Sequence, residues 1–210
     1  SQRCESVYDV PRDRLTVITN WSPAEPREGE LRSPHETELW AKLPDDAKRD
    51  GVLIVQYSGN MGLWHNIDDL VRAASLVQEA PVHFLMIGAG RRRAAAYELG
   101  ESLGLTNITW LPFQPLDQLT DSLQCAHMSL VSQRDELFGV MVPSKLYGVL
   151  AVGRGVIAQS PRGSEVDLTV RDSQCGVALN TDDPEALAAE LTRLAADLDE
   201  VTRMGEAARR

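Results

Sequence analysis

Gly51-Val-Leu-Ile-Val-Gln-Tyr-Ser-Gly-Asn-Met-Gly62 and, beyond a helical stretch, Pro81-Val-His-Phe-Leu-Met-Ile-Gly-Ala-Gly90 decide how this chain folds. Each is a short β-rich run, apolar nearly throughout, that ends in a glycine turn. A strand that does not alternate apolar with polar is buried on both faces, and helical crossovers between such strands make the sheet parallel. Between the two runs, Asn66–Glu79 places Ile67, Leu70, Val71, Ala74 and Val77 on one helical face, with Asn66 and Asp69 spaced as a capping box. The beat continues along the chain. Strands are expected at Val82–Ile87, Ile108–Leu111, Met128–Ser132, Gly155–Ala158 and Gly176–Leu179. Helices are expected at Ala94–Leu103, Leu116–Cys125, Ser144–Val152, Glu165–Val170 and Pro184–Leu198, the last capped by Asp182 or Asp183. The fold class is α/β: a doubly wound, Rossmann-like parallel sheet over residues 51–210.

Upstream the pattern is different. A turn at Pro11-Arg12-Asp13 leads to a strand at Leu15–Thr19, and Trp21 to Asp50 is rich in Pro, Glu and Arg with one helical piece, Glu36–Lys42. So long a connection is unusual inside a compact domain. Residues 1–50 therefore read as the remnant of an N-terminal domain and an interdomain linker. At 210 residues the chain has room for one α/β domain and a fragment of another.

Composition narrows the function. A net charge of −10 disfavours a nucleic-acid surface. The single basic run, Arg91-Arg92-Arg93, reads as a solvated first helical turn. Cys4, Cys125 and Cys175 are too far apart for a zinc motif or a disulfide framework, which points to a reducing cytoplasm. No run is long enough to span a bilayer, and no basic-then-apolar leader opens the sequence.

In a doubly wound sheet, ligands bind beyond the carboxyl ends of the strands. The first such place is Gly59-Asn60-Met61-Gly62, where glycines let backbone amides approach a phosphate ahead of a helix. His65, just before that helix, is a candidate sugar or phosphate donor. Gly88-Ala89-Gly90 follows the second strand, without the acidic residue that a nicotinamide-binding fold places about twenty residues later. Phe113 and Gln114 could flank a flat base. Lys145 stands in the first turn of a helix, where its charge opposes the helix dipole unless an anion sits there too. Glu165 opens the next helix, as a cap or as an acceptor of sugar hydroxyls.

The order of these motifs is specific. Tyr57-Ser-Gly-Asn-Met-Gly62, Phe84-Leu-Met-Ile-Gly-Ala-Gly90, Asn107-Ile-Thr-Trp-Leu-Pro-Phe-Gln-Pro115, Val142-Pro-Ser-Lys-Leu-Tyr-Gly148, Gly163-Ser-Glu-Val166 and Cys175-Gly-Val177 together resemble the C-terminal domain of group 1 (family 4) glycosyltransferases. The likeness is to the subgroup of colanic-acid and O-antigen enzymes, from about Val52 onward, with Leu15–Trp21 similar to the strand closing their first domain. The resemblance implies the C-terminal half of a GT-B enzyme that retains anomeric configuration and uses neither metal nor cofactor. Its donor would be a nucleotide-sugar, UDP-linked by subgroup, and its acceptor a glycan or lipid-linked glycan held by the other domain.

By the same resemblance Gly59, Asn60, Met61, Gly62 and Gly88 face the diphosphate, and Phe113 and Gln114 lie beside the base. Pro143, Ser144, Lys145 and Tyr147 approach the diphosphate or sugar, and Glu165 lines the sugar cleft. Lys145, Glu165 and His65 are the candidate catalytic residues. A cytoplasmic location is implied, with the full-length enzyme able to sit peripherally on the inner membrane face. Val140 and Gly148 stand where the broad family carries two glutamates, and Leu63 and Trp64 where it carries small or basic residues. Two other readings stay open: a non-catalytic nucleotide-binding module of the same fold, and a nucleotide-sugar epimerase, which would need acid and base groups at the cleft. Arg134 is either a further cleft cation or a partner of Asp135.

Overall fold

A computed structural model describes residues 8–16, 22, 26 and 29–210. Six parallel strands form one sheet: β1 Leu53–Ser58, β2 Val82–Ile87, β3 Ile108–Leu111, β4 Met128–Ser132, β5 Gly155–Gln159 and β6 Gly176–Leu179. Their order is β3-β2-β1-β4-β5-β6. The direction of winding reverses between β1 and β4, so a crevice opens there beyond Ser58 and Ser132.

The helices are α1 Ile67–Leu76, α2 Arg93–Ser102, α3 Leu119–Gln124, α4 Lys145–Ala151, α5 Glu165–Asp172, α6 Pro184–Ala195 and α7 Leu198–Ala207. Alternate strand residues serve opposite faces. Leu53, Val55 and Tyr57 join Leu70, Val71 and Ala74 of α1 and Leu187 and Leu191 of α6 in one core. On the other face, Val131, Val156 and Ala158 pack against Leu146 and Val149 of α4 and Val166 and Val170 of α5. Every strand of β1, β2, β4 and β5 is buried along its length save Ser58, as expected of continuous apolar runs.

The remaining area of that second face, over β1 and β2, is covered from upstream. Three 3₁₀ turns, Pro34–Glu36, Glu38–Lys42 and Asp45–Lys48, bring Leu39, Leu43 and Ala47 onto Ile54, Leu85 and Ile87. The single helical piece expected at Glu36–Lys42 is thus a string of tighter turns, broken at Thr37 and Leu43 by extended backbone. Polar groups pin it to α3. Asp121 accepts from the amides of Glu38 and Leu39, Gln124 Oε1 accepts from the amide of Arg32 at 2.6 Å, and the Arg154 guanidinium donates to the carbonyls of Arg32 and Gln124. The strand expected at Leu15–Thr19 and the residue Cys4 lie outside the described residues or run into them, and Cys125 and Cys175 are free and buried.

Three local expectations change. Asn66 makes no capping bond; its side-chain Nδ2 donates to Asp182 Oδ1 at 2.6 Å, because α6 packs on α1 and brings that carboxylate within reach. The helix expected through Leu198 stops at Ala195, since Asp197 leaves the helical region and its side chain accepts from the Glu200 amide, starting α7. The arginine run is less solvated than it reads: Arg92 pairs with Asp68 at 2.7 Å and Arg93 stacks over Trp110. Among the described residues no helix is long and apolar enough to cross a membrane.

Candidate functional site

A cleft of about 530 Å³ opens at the crevice between β1 and β4. Its walls are Ser58, Gly59, Asn60 and His65 after β1, Phe113 and Gln114 after β3, Leu119, Ser122 and Leu123 of α3, and Met141 to Lys145 with Gly148 at α4. Eight of the sequence-predicted residues therefore meet here: Gly59, Asn60, His65, Phe113, Gln114, Pro143, Ser144 and Lys145.

Lys145 dominates the electrostatics. Its Nζ is buried, has no hydrogen-bond partner and lies 3.7 Å from the centre of the Tyr57 ring. Burial pulls its ammonium down to about 7. The backbone of Gly59 passes so close that a Cβ there would sit 3.2 Å from the same Nζ. Ser144 is exposed and its hydroxyl is not used as a cap.

His65 Nδ1 faces the Ser132 carbonyl at 2.9 Å, and a ring nitrogen facing a carbonyl must carry the proton. Burial and then the Lys145 charge hold the imidazole below its ordinary range, against the opposing pull of the Ser132 bond. A neutral ring in that tautomer leaves Nε2 as an acceptor, so of the sugar or phosphate contact expected of His65 it suits a sugar hydroxyl, as acceptor rather than donor.

The glycine turn is more committed than the sequence suggests. The Gly59 amide donates to Ile87 and that of Met61 to Ala89. Among the described residues, those of Asn60 and Gly62 have no internal acceptor. Met61 is wholly buried in the core, and Gly62 does not reach the cleft. Gly88 supports the turn from behind: with φ at +133°, its added Cβ would lie 2.0 Å from the Gly59 carbonyl oxygen.

Tyr147 and Glu165 are not among the residues that line the cleft. Burial, and then the charge of the Glu165 carboxylate, push the Tyr147 phenol up. Nor does Arg134 pair with Asp135, whose carboxylate accepts from Thr181 at 2.9 Å. Of the two positions that lack glutamate, Gly148 lines the cleft, whereas Val140 is exposed outside it. Sequence reading missed Lys42, whose Nζ donates to Gln114 Oε1 at 3.0 Å while Gln114 Nε2 donates to the Pro112 carbonyl. No local signal points to a contact across 72 residues of chain. Tyr57 carries no role of its own in the motif, yet strand alternation puts it on the core face with Leu53 and Val55.

Comparison with known proteins bears on the family and the fold. The family described as "Glycosyl transferases group 1" matches residues 53–197. A protein of Escherichia coli (strain K12), named as the colanic acid biosynthesis glycosyl transferase WcaI, is 30% identical over 124 residues, 59% of this chain and 29% of its own length. Among solved structures, WaaG, titled a glycosyltransferase involved in lipopolysaccharide biosynthesis, superposes with a TM-score of 0.75 at 15% identity, over 98% of this chain and 54% of that one. Anabaena HepE, solved with UDP and glucose, gives 0.61 at 14% identity over 80% and 47%. The chain spans between 29% and 45% of the length of curated relatives such as these. The sheet is that of a GT-B glycosyltransferase, and with 53–197 matched the chain belongs to the group 1 glycosyl transferases.

Proposed function

We propose that residues 51–210 are the donor-binding half of a retaining glycosyltransferase of surface polysaccharide or lipid-linked glycan synthesis, and that residues 1–50 lead in from the acceptor half. The observation that carries this is the buried, unpartnered Lys145 ammonium beside the Gly59 turn. A buried cation without a counter-charge is costly, and an anion of the size of a diphosphate would supply both charge and acceptors. The UDP and glucose bound by the similarly folded HepE support a UDP-sugar as the donor.

In this reading the sugar–phosphate bond breaks with its electrons going to the diphosphate, the anomeric carbon bonds to the oxygen of an acceptor hydroxyl, and the proton of that hydroxyl leaves with the diphosphate. Lys145, the Asn60 amide and the Ser144 hydroxyl meet the growing charge, acting where charge develops rather than on the neutral sugar. His65 Nε2 accepts from a sugar hydroxyl. Phe113 covers a face of the base, and Gln114, both ends engaged, leaves base reading to main-chain atoms. Gly148 offers the donor no side chain, and a Cβ there would already meet Leu123 Cδ1 at 3.4 Å. The epimerase alternative is weakened, because Glu165 does not stand across the cleft from His65.

The test is a titration with UDP, GDP and ADP, following backbone amide shifts with and without EDTA. Expected are shifts at Asn60, Phe113, Gln114, Ser144 and Lys145 with UDP, unaffected by the chelator. No response to any of the three overturns the proposal.

A further inference from the structure

We infer that Tyr57 is a positioning residue for the phosphate end of the cleft: its ring face holds the Lys145 ammonium beside Gly59, and its hydroxyl fixes the Asn60 carbonyl, so one side chain sets the spacing between cation and turn. This deepens the donor-binding reading and rests on it for the class of ligand.

Tyr57 is fully buried near the end of β1. Its hydroxyl donates to the Asn60 carbonyl at 2.7 Å, which orients the peptide that leads on through the turn. Its ring carries the Lys145 Nζ at 3.7 Å from the centroid, where the negative face of the π-system partly replaces the water that the ammonium has lost. The same ring meets that of His65 in a T-shaped contact, centroids 6.0 Å apart at 67°. The turn and the histidine follow β1 directly while the lysine comes from α4, some eighty residues on, and this one side chain meets all of them.

A leucine in its place would fill much of the volume but offer neither quadrupole nor hydroxyl. The ammonium would then be free to adopt other rotamers, and binding a diphosphate would have to order it again. A phenylalanine keeps the ring and loses only the tether.

The test uses the 210-residue chain with Tyr57→Phe and Tyr57→Leu, read in two ways. Without ligand, the Lys145 ε-methylene protons of the parent protein should resonate upfield of their ordinary position, because they lie over an aromatic face. That shift should persist in the Phe variant and vanish in the Leu variant. With UDP, and separately with inorganic pyrophosphate, calorimetry should show Kd rising about threefold for Phe and about tenfold for Leu, alike for both probes. An unshifted Lys145 methylene in the parent protein overturns the inference even if the Leu variant does not fold. So does a folded Tyr57→Leu protein that binds both probes as the parent does. A parent protein that binds neither probe instead removes the donor-binding reading, while the ring-current measurement still decides where the lysine lies.

Discussion

Lys145 is the residue whose chemistry is most exposed to experiment. Burial brings it to about 7, whereas in an unfolded chain it titrates near ~10.4. Between those values the unfolded state binds the extra proton, so the contribution of this residue to stability rises as pH climbs from about 7 toward 10. Lys145→Met removes that contribution. The stability difference between the variant and the parent, measured by urea unfolding, should therefore favour the variant at pH 6 and shrink toward pH 10. Ligand works in the opposite sense. A diphosphate restores the full charge, so UDP binding near pH 8 should take up a fraction of a proton and weaken as pH rises. Calorimetry in buffers of different ionisation heat measures that uptake directly; zero uptake contradicts the assignment. The same Lys145→Met protein should lose at least ~tenfold in UDP affinity, as expected on removing a charged partner from a hydrogen-bonded anion.

Strands and helices were largely legible, and the reasons are local. β2, β3, β4 and β6 match their expected bounds: β2 and β3 are apolar runs closed by Gly88 and Pro112, and β4 and β6 give way at once to the polar Gln133 and Asn180. The helix at Pro184 was found from its proline and its aspartate, and Asp183 does cap it, accepting from the Ala186 amide at 2.8 Å. Asp183→Ala should cost about 1 kcal/mol in denaturant unfolding. What failed was long-range. Asn66 looked like a cap until α6 delivered Asp182, and burial with that carboxylate now pushes Asp69 up. The cleft was readable because strand ends in a doubly wound sheet converge, which gathered His65, Phe113 and Lys145 from separate motifs. Met61 and Gly88 belonged to the same motifs but face inward and shape the turn. Gly88→Ala should cost ~3 kcal/mol or more, because the clash is with backbone and φ is positive; chemical denaturation would show a much lower midpoint.

At the level of the molecule, the stretch expected as a linker supplies part of the sheet's cover. Deleting residues through Lys48 would uncover Ile54, Leu85 and Ile87 and remove Leu39 and Leu43 from them. At about 2 kcal/mol for each buried leucine, the remaining chain should lose ~4 kcal/mol, seen as a large fall in thermal midpoint. Asp121→Ala probes the polar clamp more gently: amide exchange at Glu38 and Leu39 should quicken while that of β1 stays slow. The Lys42–Gln114 bond carries a practical corollary for anyone surveying ligands. A piece trimmed to begin at Gly51 keeps every strand, yet the carboxamide oxygen at 114 comes free. Such a piece would rank flat heterocycles by a hydrogen bond that the longer polypeptide has already committed elsewhere, and its preferences among bases would not be those of the intact protein.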